Sequence, residues 1–407
     1  MRSDSDWTQQ EKEVVPGQAP EVMSCGGLEL APRGQARSSQ PRLGLRRRWL
    51  WFIVGVALMG LVAIVLGATL GVMLKGKESG PVSTPEPSSL AFLSSLAAAS
   101  WGVDSDDYGI RLIYEDNLDQ MRTATFESKT GSWQKYKDNP RIRKSSPLAA
   151  SRFNLSSNAV QVELFYLAED DLVSEWNWQP QGVGGRGSLN GERLTKASPS
   201  SRLSAYWPFV LYQDQQLHLQ GYYFDANFRS PWQPMNLSSS DYLAANGSSL
   251  SMVPNGGSDQ PISIFHQQDN GDMMEYLWYT NGTTLRNKTL ITSDSVPHQA
   301  AMTAFTWQPG SASQLATYFL YQDTSATIQM LWRKSLSDSW NGPKTFDAFK
   351  DAHNSTGISC LQMNNFFSEI SPGTQTPRCY FHASGAVREV EMGGDGQDWK
   401  IVGTVPL

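Results

Sequence analysis

The chain has 407 residues and a formal net charge of −6, with only 18% of its side chains charged and 40% hydrophobic. Residues 101–407 are more acidic still, with 23 basic against 31 acidic side chains, which argues against nucleic acid as a partner. Fourteen Trp, fourteen Tyr, sixteen Phe and 34 Gly suit a fold of many short strands and turns.

Residues 1–48 lack apolar periodicity and read as a disordered cytosolic tail. Residues 49–74, WLWFIVGVALMGLVAIVLGATLGVML, carry no charge. Their 26 residues are enough to cross a bilayer, and they lie too far from the N-terminus for a cleaved signal peptide. Arg33, Arg37, Arg42, Arg46, Arg47 and Arg48 precede the run, and excess Arg marks the cytoplasmic side. The expectation is a type II membrane protein with a cytosolic N-terminus and a lumenal or extracellular C-terminal domain. Ala63, Gly67 and Gly71 recur at every fourth position, a spacing that lets two spans approach closely as one of two routes to a homodimer, the ectodomain being the other. Residues 75–100, rich in Ser, Pro and Ala, read as a stalk. Six glycosylation sequons, at Asn154, Asn236, Asn246, Asn281, Asn287 and Asn354, all follow the span and agree with this topology.

From Trp101 to the end, one layout recurs six times. A strand ends on a ring residue (Tyr114, Tyr166, Tyr212, His266, Tyr321, Phe381), at steps of 46 to 60 residues. A polar turn follows, with Asp116, Asp214 and Asp323 in three copies, and an apolar residue then opens the next strand. Trp133, Trp340 and Trp399 close three of the copies. Six small antiparallel sheets, none able to bury both faces alone, predict an all-β, six-bladed β-propeller over residues 101–407 behind the single N-terminal transmembrane helix. Two packed sandwiches of ordinary antiparallel strands are the competing architecture.

The last copy, PRCYFHASGAVREVEMGGDGQDW, faces Arg378 with Glu389 across a hairpin. The pattern of Arg, aromatic pair, polar turn and then Glu resembles the fungal fucose-specific lectin family over the whole of residues 101–407. The resemblance implies a six-bladed propeller with sugar sites between blades, where Arg and Glu bind fucose hydroxyls and aromatic rings cover the sugar. Carried over by position, the Arg places read Arg111, Glu163, Phe209, Ser263, Tyr318 and Arg378. The Glu places read Thr123, Ser174, Leu219, Glu275, Met330 and Glu389. Only the last copy keeps both, so the candidate ligand residues are Arg378, Glu389 and Trp399, then Arg111 and Glu275 as half-sites. A cross-strand ion pair on a solvated face is the alternative for Arg378 and Glu389.

Cys360 and Cys379, on the oxidising side, are expected to form a disulfide, with two free buried thiols as the alternative. The five histidines show no metal-ligand spacing, and no phosphate loop or nucleophile elbow occurs. The reading is therefore a non-enzymatic, cofactor-free ectodomain that binds fucosylated or related glycans. A propeller that has lost sugar binding and serves as a protein scaffold is the alternative.

Overall fold

The computed structural model describes residues 95–406, apart from 103–106, 117, 137–138, 157–158, 180–183, 193, 238–242, 257–259, 280–287, 293–295, 309–314, 363–375 and 395. The chain divides into two units, 1–82 and 83–407, and the described residues all belong to the second. The tail, the apolar run of residues 49–74 and nearly all of the expected stalk lie outside them. Among the described residues no helix is long and apolar enough to cross a membrane.

The second unit is an all-β, six-bladed propeller. Blade 1 is β1 (Leu96–Gly102), β2 (Tyr108–Glu115), β3 (Met121–Glu127) and β4 (Ser132–Tyr136). Blade 2 is β5 (Leu148–Ser156), β6 (Ala159–Leu167), β7 (Val173–Trp178) and β8 (Gly185–Arg186). Blade 3 is β9 (Leu203–Tyr206), β10 (Phe209–Gln213), β11 (Leu219–Phe224) and β12 (Trp232–Pro234). Blade 4 is β13 (Leu250–Pro254), β14 (Ile262–Gln267), β15 (Met273–Trp278) and β16 (Lys288–Thr292). Blade 5 is β17 (Met302–Trp307), β18 (Ala316–Gln322), β19 (Ile328–Arg333) and β20 (Asn341–Lys344). Blade 6 is β21 (Ile358–Cys360), β22 (Arg378–Ala383), β23 (Ala386–Met392) and β24 (Trp399–Val405). Each sheet is a four-stranded antiparallel meander in chain order. The first strands of neighbouring blades touch one another all the way round, so they line the central axis.

β1 begins at Leu96, inside the segment expected to be stalk, so the fold starts before Trp101. The stretch LAAAS reads as low complexity, but small side chains are what the crowded axis accepts; Ala97, Ala98 and Ala99 are all buried. The ring closes without sharing a strand between the chain's two ends. Ala98 N–H of blade 1 donates to Ser359 Oγ of blade 6 at 3.0 Å, and a cluster of Leu96, Leu112, Tyr380, Val387 and Val405 packs across the seam.

Two local devices shape the blades. In blades 1, 3 and 5 an aspartate at the β2–β3 type of turn accepts two backbone N–H groups with one carboxylate oxygen. Asp116 takes Leu118 and Gln120, Asp214 takes Gln216 and His218, and Asp323 takes Ser325 and Thr327, all at 2.8–3.0 Å. In blade 6, Ser384 and Gly385 both have positive φ (51° and 78°), as a two-residue type I′ hairpin requires. That shorter turn is why Arg378 and Glu389 are one residue closer in sequence than their counterparts in other blades.

Because side chains alternate across a strand, each blade buries one face against each neighbour. Six apolar clusters result, one at every blade junction, each drawing on two adjacent blades. Burying one Leu or Phe contributes about 1.5–3 kcal/mol. Each junction buries several such side chains, and this is the continuous core a single blade could not build. Cys360 and Cys379 lie opposite each other on β21 and β22 and are joined as a disulfide inside blade 6.

Candidate functional site

Alternation decides which way the opening pair of the last hairpin faces. On β22, Cys379 and Phe381 point into the junction with blade 5, while Tyr380 points toward blade 1. Arg378 shares the face of Tyr380. On β23, Val390 and Met392 point to blade 5, and Val387 and Glu389 to blade 1. Arg378 Nη1 donates to Glu389 Oε1 at 2.8 Å. Its Nη2 donates to the hydroxyl oxygen of Tyr108, on β2 of blade 1, also at 2.8 Å. Tyr380 Oη donates to the same Glu389 oxygen at 2.9 Å.

Aromatic rings of blade 1 form the facing wall. The guanidinium lies 5.5 Å from the Tyr108 ring centroid and 5.9 Å from that of Phe126. Trp133 packs 5.5 Å from Phe126 and edge-on to Tyr380 at 6.2 Å. A second carboxylate, Glu391, is 3.6 Å from Arg378 Nη2 and is held by Thr376 and Lys400.

The electrostatics keep Arg378 charged and Tyr380 neutral. Burial pulls the Arg378 pKa down, but the charge and hydrogen bond of Glu389 outweigh it, so the guanidinium ionises even more firmly than usual. Burial and the Glu389 carboxylate push the Tyr380 phenol well up, which keeps it a neutral donor. The Arg378 side chain is 14% exposed and Glu389 4%, so the pair is walled in yet reaches solvent. Fixed donors, fixed acceptors and a ring-lined wall in one junction are what recognition of a polyhydroxylated ring with an apolar face requires.

The other expected site residues are not brought to this place. Trp399 is on the opposite face of blade 6. It is 5% exposed, donates from Nε1 to Met330 Sδ at 3.4 Å, and packs on Phe349 and on Phe305 of blade 5. Trp399 therefore serves the junction where Tyr318 and Met330 occupy the Arg and Glu places, and Trp133 takes the aromatic role beside Arg378. The reason is the alternation itself: the tryptophan of each outer strand faces the preceding blade, not its own hairpin.

Arg111 faces blade 2. It is fully buried within a box of Trp101, Tyr136 and Trp178, with ring centroids 5.0–5.4 Å from Cζ. Burial lowers its pKa to about 10. Thr123, in the Glu place, donates to Asn139 instead. Glu275 faces blade 5, where Arg333 takes the role missing at Ser263. Arg333 grips Glu275 through both guanidinium nitrogens at 2.5 and 2.8 Å and stacks on Trp340 at 4.5 Å.

The ladder register also corrects two positions. Leu164 stands opposite Trp176 and Glu163 opposite Asn177, so the Glu place of blade 2 is Glu175 and not Ser174. In blade 3, Leu211 pairs with Gly221, so that place is Gly221 and not Leu219. A constant separation of twelve positions in the first five blades was the signal that finds both. The filled junctions are apolar: Met235 covers Gly221 while Phe209 packs on Trp278, and Tyr318 stacks on Phe305. In blade 2, Glu163 and Glu175 meet as two buried carboxyls. Glu163 Oε2 has no hydrogen-bond donor among the described residues, while Glu175 accepts the Leu189 N–H at 2.8 Å. Burial pushes both pKa values up, Glu163 furthest because the Glu175 charge adds to it, so the proton stays with Glu163.

Sequence reading missed Tyr108, Tyr380, Phe126, Trp133 and Glu391 as partners of the pair. Three of these come from blade 1, some 250 or more residues upstream, and only ring closure brings them there.

No protein-family model matches the chain, and no curated protein sequence does. Solved structures do match in fold. The fucose-specific lectin of Aleuria aurantia, a six-bladed β-propeller, aligns with a TM-score of 0.62 at 19% identity over 79% of this chain and 98% of its own. AofleA of Arthrobotrys oligospora aligns with a TM-score of 0.63 at 20% identity over 79% of this chain and 88% of its own. The chain thus shares its six-bladed propeller fold with fungal fucose-specific lectins.

Proposed function

We propose that this chain is a type II membrane glycoprotein whose propeller binds a fucose-type sugar of a glycan at the junction of blades 6 and 1. The observation that carries the reading is the Arg378–Glu389 pair under the aromatic wall of Tyr108, Phe126 and Trp133. The Aleuria aurantia lectin of the same fold is described as fucose-specific, and a mutant of it is described in complex with α-methyl-L-fucoside. Arg378 supplies donors and Glu389 acceptors to sugar hydroxyls, and the rings cover the methyl group and C–H face of a deoxy sugar. No catalytic step is proposed for the site.

Several features support the wider setting. The disulfide of blade 6 fits an oxidising compartment. Asn236, Asn246 and Asn354 are exposed, as glycan acceptors need to be; Asn281 and Asn287 lie outside the described residues, as does the side chain of Asn154. The chain enters the propeller at Ser95, at the axial end where the first strands start. Arg378 pairs near the other end of its blade's first strand, since Leu361 N–H donates to Arg378 O.

The test is calorimetric titration of methyl fucoside into residues 83–407, the unit that contains all six junction clusters. Saturable binding at one site per chain is expected. A folded, monodisperse protein that binds no fucoside would sink the lectin reading. It would favour the protein scaffold, for which the two apolar junctions and the sealed Arg333–Glu275 junction already argue at three of the six positions.

A further inference from the structure

The first residue of each axial strand is aliphatic: Leu96, Leu148, Leu203, Leu250, Met302 and Ile358. All six are 5–8% exposed, the mark of a closed apolar ring around the axis. On the Ser95 side of this ring the channel widens into a cavity of about 180 Å³. On the other side lies a smaller one of about 90 Å³, lined by the same six side chains. The larger cavity has one guanidinium in its wall, Arg202, which directly precedes β9. No carboxylate lines that cavity among the described residues; the only other titratable group there is the exposed His298.

The Arg202 guanidinium has no hydrogen-bond or ion-pair partner among the described residues, unlike those of Arg333, Arg378, Arg143 and Arg122, which all face carboxylates. Burial alone lowers its pKa, with no neighbouring acid to offset it. Arg202 is half-buried, and a guanidinium partly withdrawn from water with no carboxylate beside it favours an anionic ligand. Its planar fork suits the two oxygens of a carboxylate. Behind it, the aliphatic ring offers a surface no bare anion would use. A cavity of about 150 Å³ is enough to hold benzene, so this one has room for a molecule of roughly that size.

We infer that the axial cavity is a second binding site, separate from the sugar junction, for a short-chain monocarboxylate: the carboxylate sits on Arg202 and the alkyl chain on the ring of Leu96, Leu148, Leu203, Leu250, Met302 and Ile358. Hydroxyl groups of Ser95 and Ser355 line the same mouth and suit the polar end of such a ligand.

Calorimetric titration of sodium hexanoate into residues 83–407, against chloride of equal ionic strength, tests this. Saturable binding is expected, weaker for butanoate by about tenfold because two methylenes leave the ring. Inorganic phosphate is expected to bind far more weakly than hexanoate. Arg202→Gln should weaken hexanoate by about ten- to a hundredfold and leave the methyl fucoside titration unchanged. Phosphate or butanoate binding as well as hexanoate would overturn the inference, as would undiminished hexanoate affinity in an Arg202→Gln protein that melts normally. Should that variant fail to fold, the parent alone decides. Hexanoate must shift the Met302 methyl resonance in a ¹³C-methionine spectrum, and an unmoved resonance rejects the site.

Discussion

Among the described residues two junctions of the propeller hold an Arg–Glu pair, and they use it in opposite ways. Between blades 6 and 1, Arg378 and Glu389 come from one hairpin, and the arginine divides its donors between Glu389 and the Tyr108 hydroxyl. Between blades 4 and 5, Arg333 reaches across from the facing blade and spends both nitrogens on Glu275. The first pair is 14% and 4% exposed, the second 4% and 2%. The same two residue types thus stay partly open to solvent when the arginine sits at the rim of its own hairpin, and form a sealed seam when it arrives from the opposite wall. Position relative to the junction, not composition, separates the open pair from the sealed one.

The sealed seam should give the largest effect when broken. Arg333→Ala leaves Glu275 buried at 1% exposure without its cation, and removing one partner of a buried pair costs about 3–5 kcal/mol. Urea denaturation should show that loss while the fucoside affinity of the folded fraction stays at the parent value. If Arg333→Ala melts like the parent, the seam carries no weight and the comparison fails at its closed end.

Arg378→Ala is the matching test at the open end. A hydrogen bond from a charged donor to ligand is worth about 1.5–3 kcal/mol, so fucoside affinity should fall by about ten- to a hundredfold. The stability loss should be smaller than for Arg333→Ala, because Glu389 keeps the Tyr380 hydroxyl as a donor. An Arg378→Ala protein that binds fucoside as well as the parent would reduce the pair to a cross-strand contact.

How much of this was legible beforehand follows from the same geometry. The blade count came through because the ring residue, turn and apolar residue recur at blade spacing, and the chemistry of each turn is local. The Arg378–Glu389 pair was legible because both members lie on one hairpin. Trp399 was misplaced because a period of two names a face but not the blade it meets. Arg333 was invisible because its partner is 58 residues away on another blade. Glu175 was missed by one register step, and in a strand one step moves a side chain to the other face. The start at Leu96 was missed because alanines at a crowded axis look the same in sequence as a low-complexity stalk.

The junction of blades 2 and 3 sharpens the comparison with two acids in place of the ion pair. Both Glu163 and Glu175 have pKa values above the ordinary 4.5 in the folded protein. Above that value the native state holds more protons than the unfolded chain, so stability falls as pH rises, until the folded pair itself deprotonates. Glu163→Gln places an amide donor where the proton sits and removes that titration. Urea melts from pH 4 to pH 8 should therefore show the parent losing stability toward neutral pH and Glu163→Gln losing less, with the gap widening as pH rises. Parallel curves would mean the two carboxyls do not share a proton.

The smallest effect is expected at Arg111, which tests whether an arginine in the right place of the repeat is enough. Its guanidinium is held by three aromatic rings at zero exposure, with Thr123 where a carboxylate would be. Burial brings its pKa down to about 10, so at neutral pH the folded state bears the cost of a buried charge, offset by the rings. Replacing a buried charge with an apolar side chain of similar length is often neutral or stabilising. Arg111→Met should thus leave fucoside affinity unchanged and the melting temperature level or slightly raised. A clear fall in fucoside affinity, with the melt unaltered, would make the junction of blades 1 and 2 a second sugar site. The contrast would then shift to one between sites with and without a carboxylate.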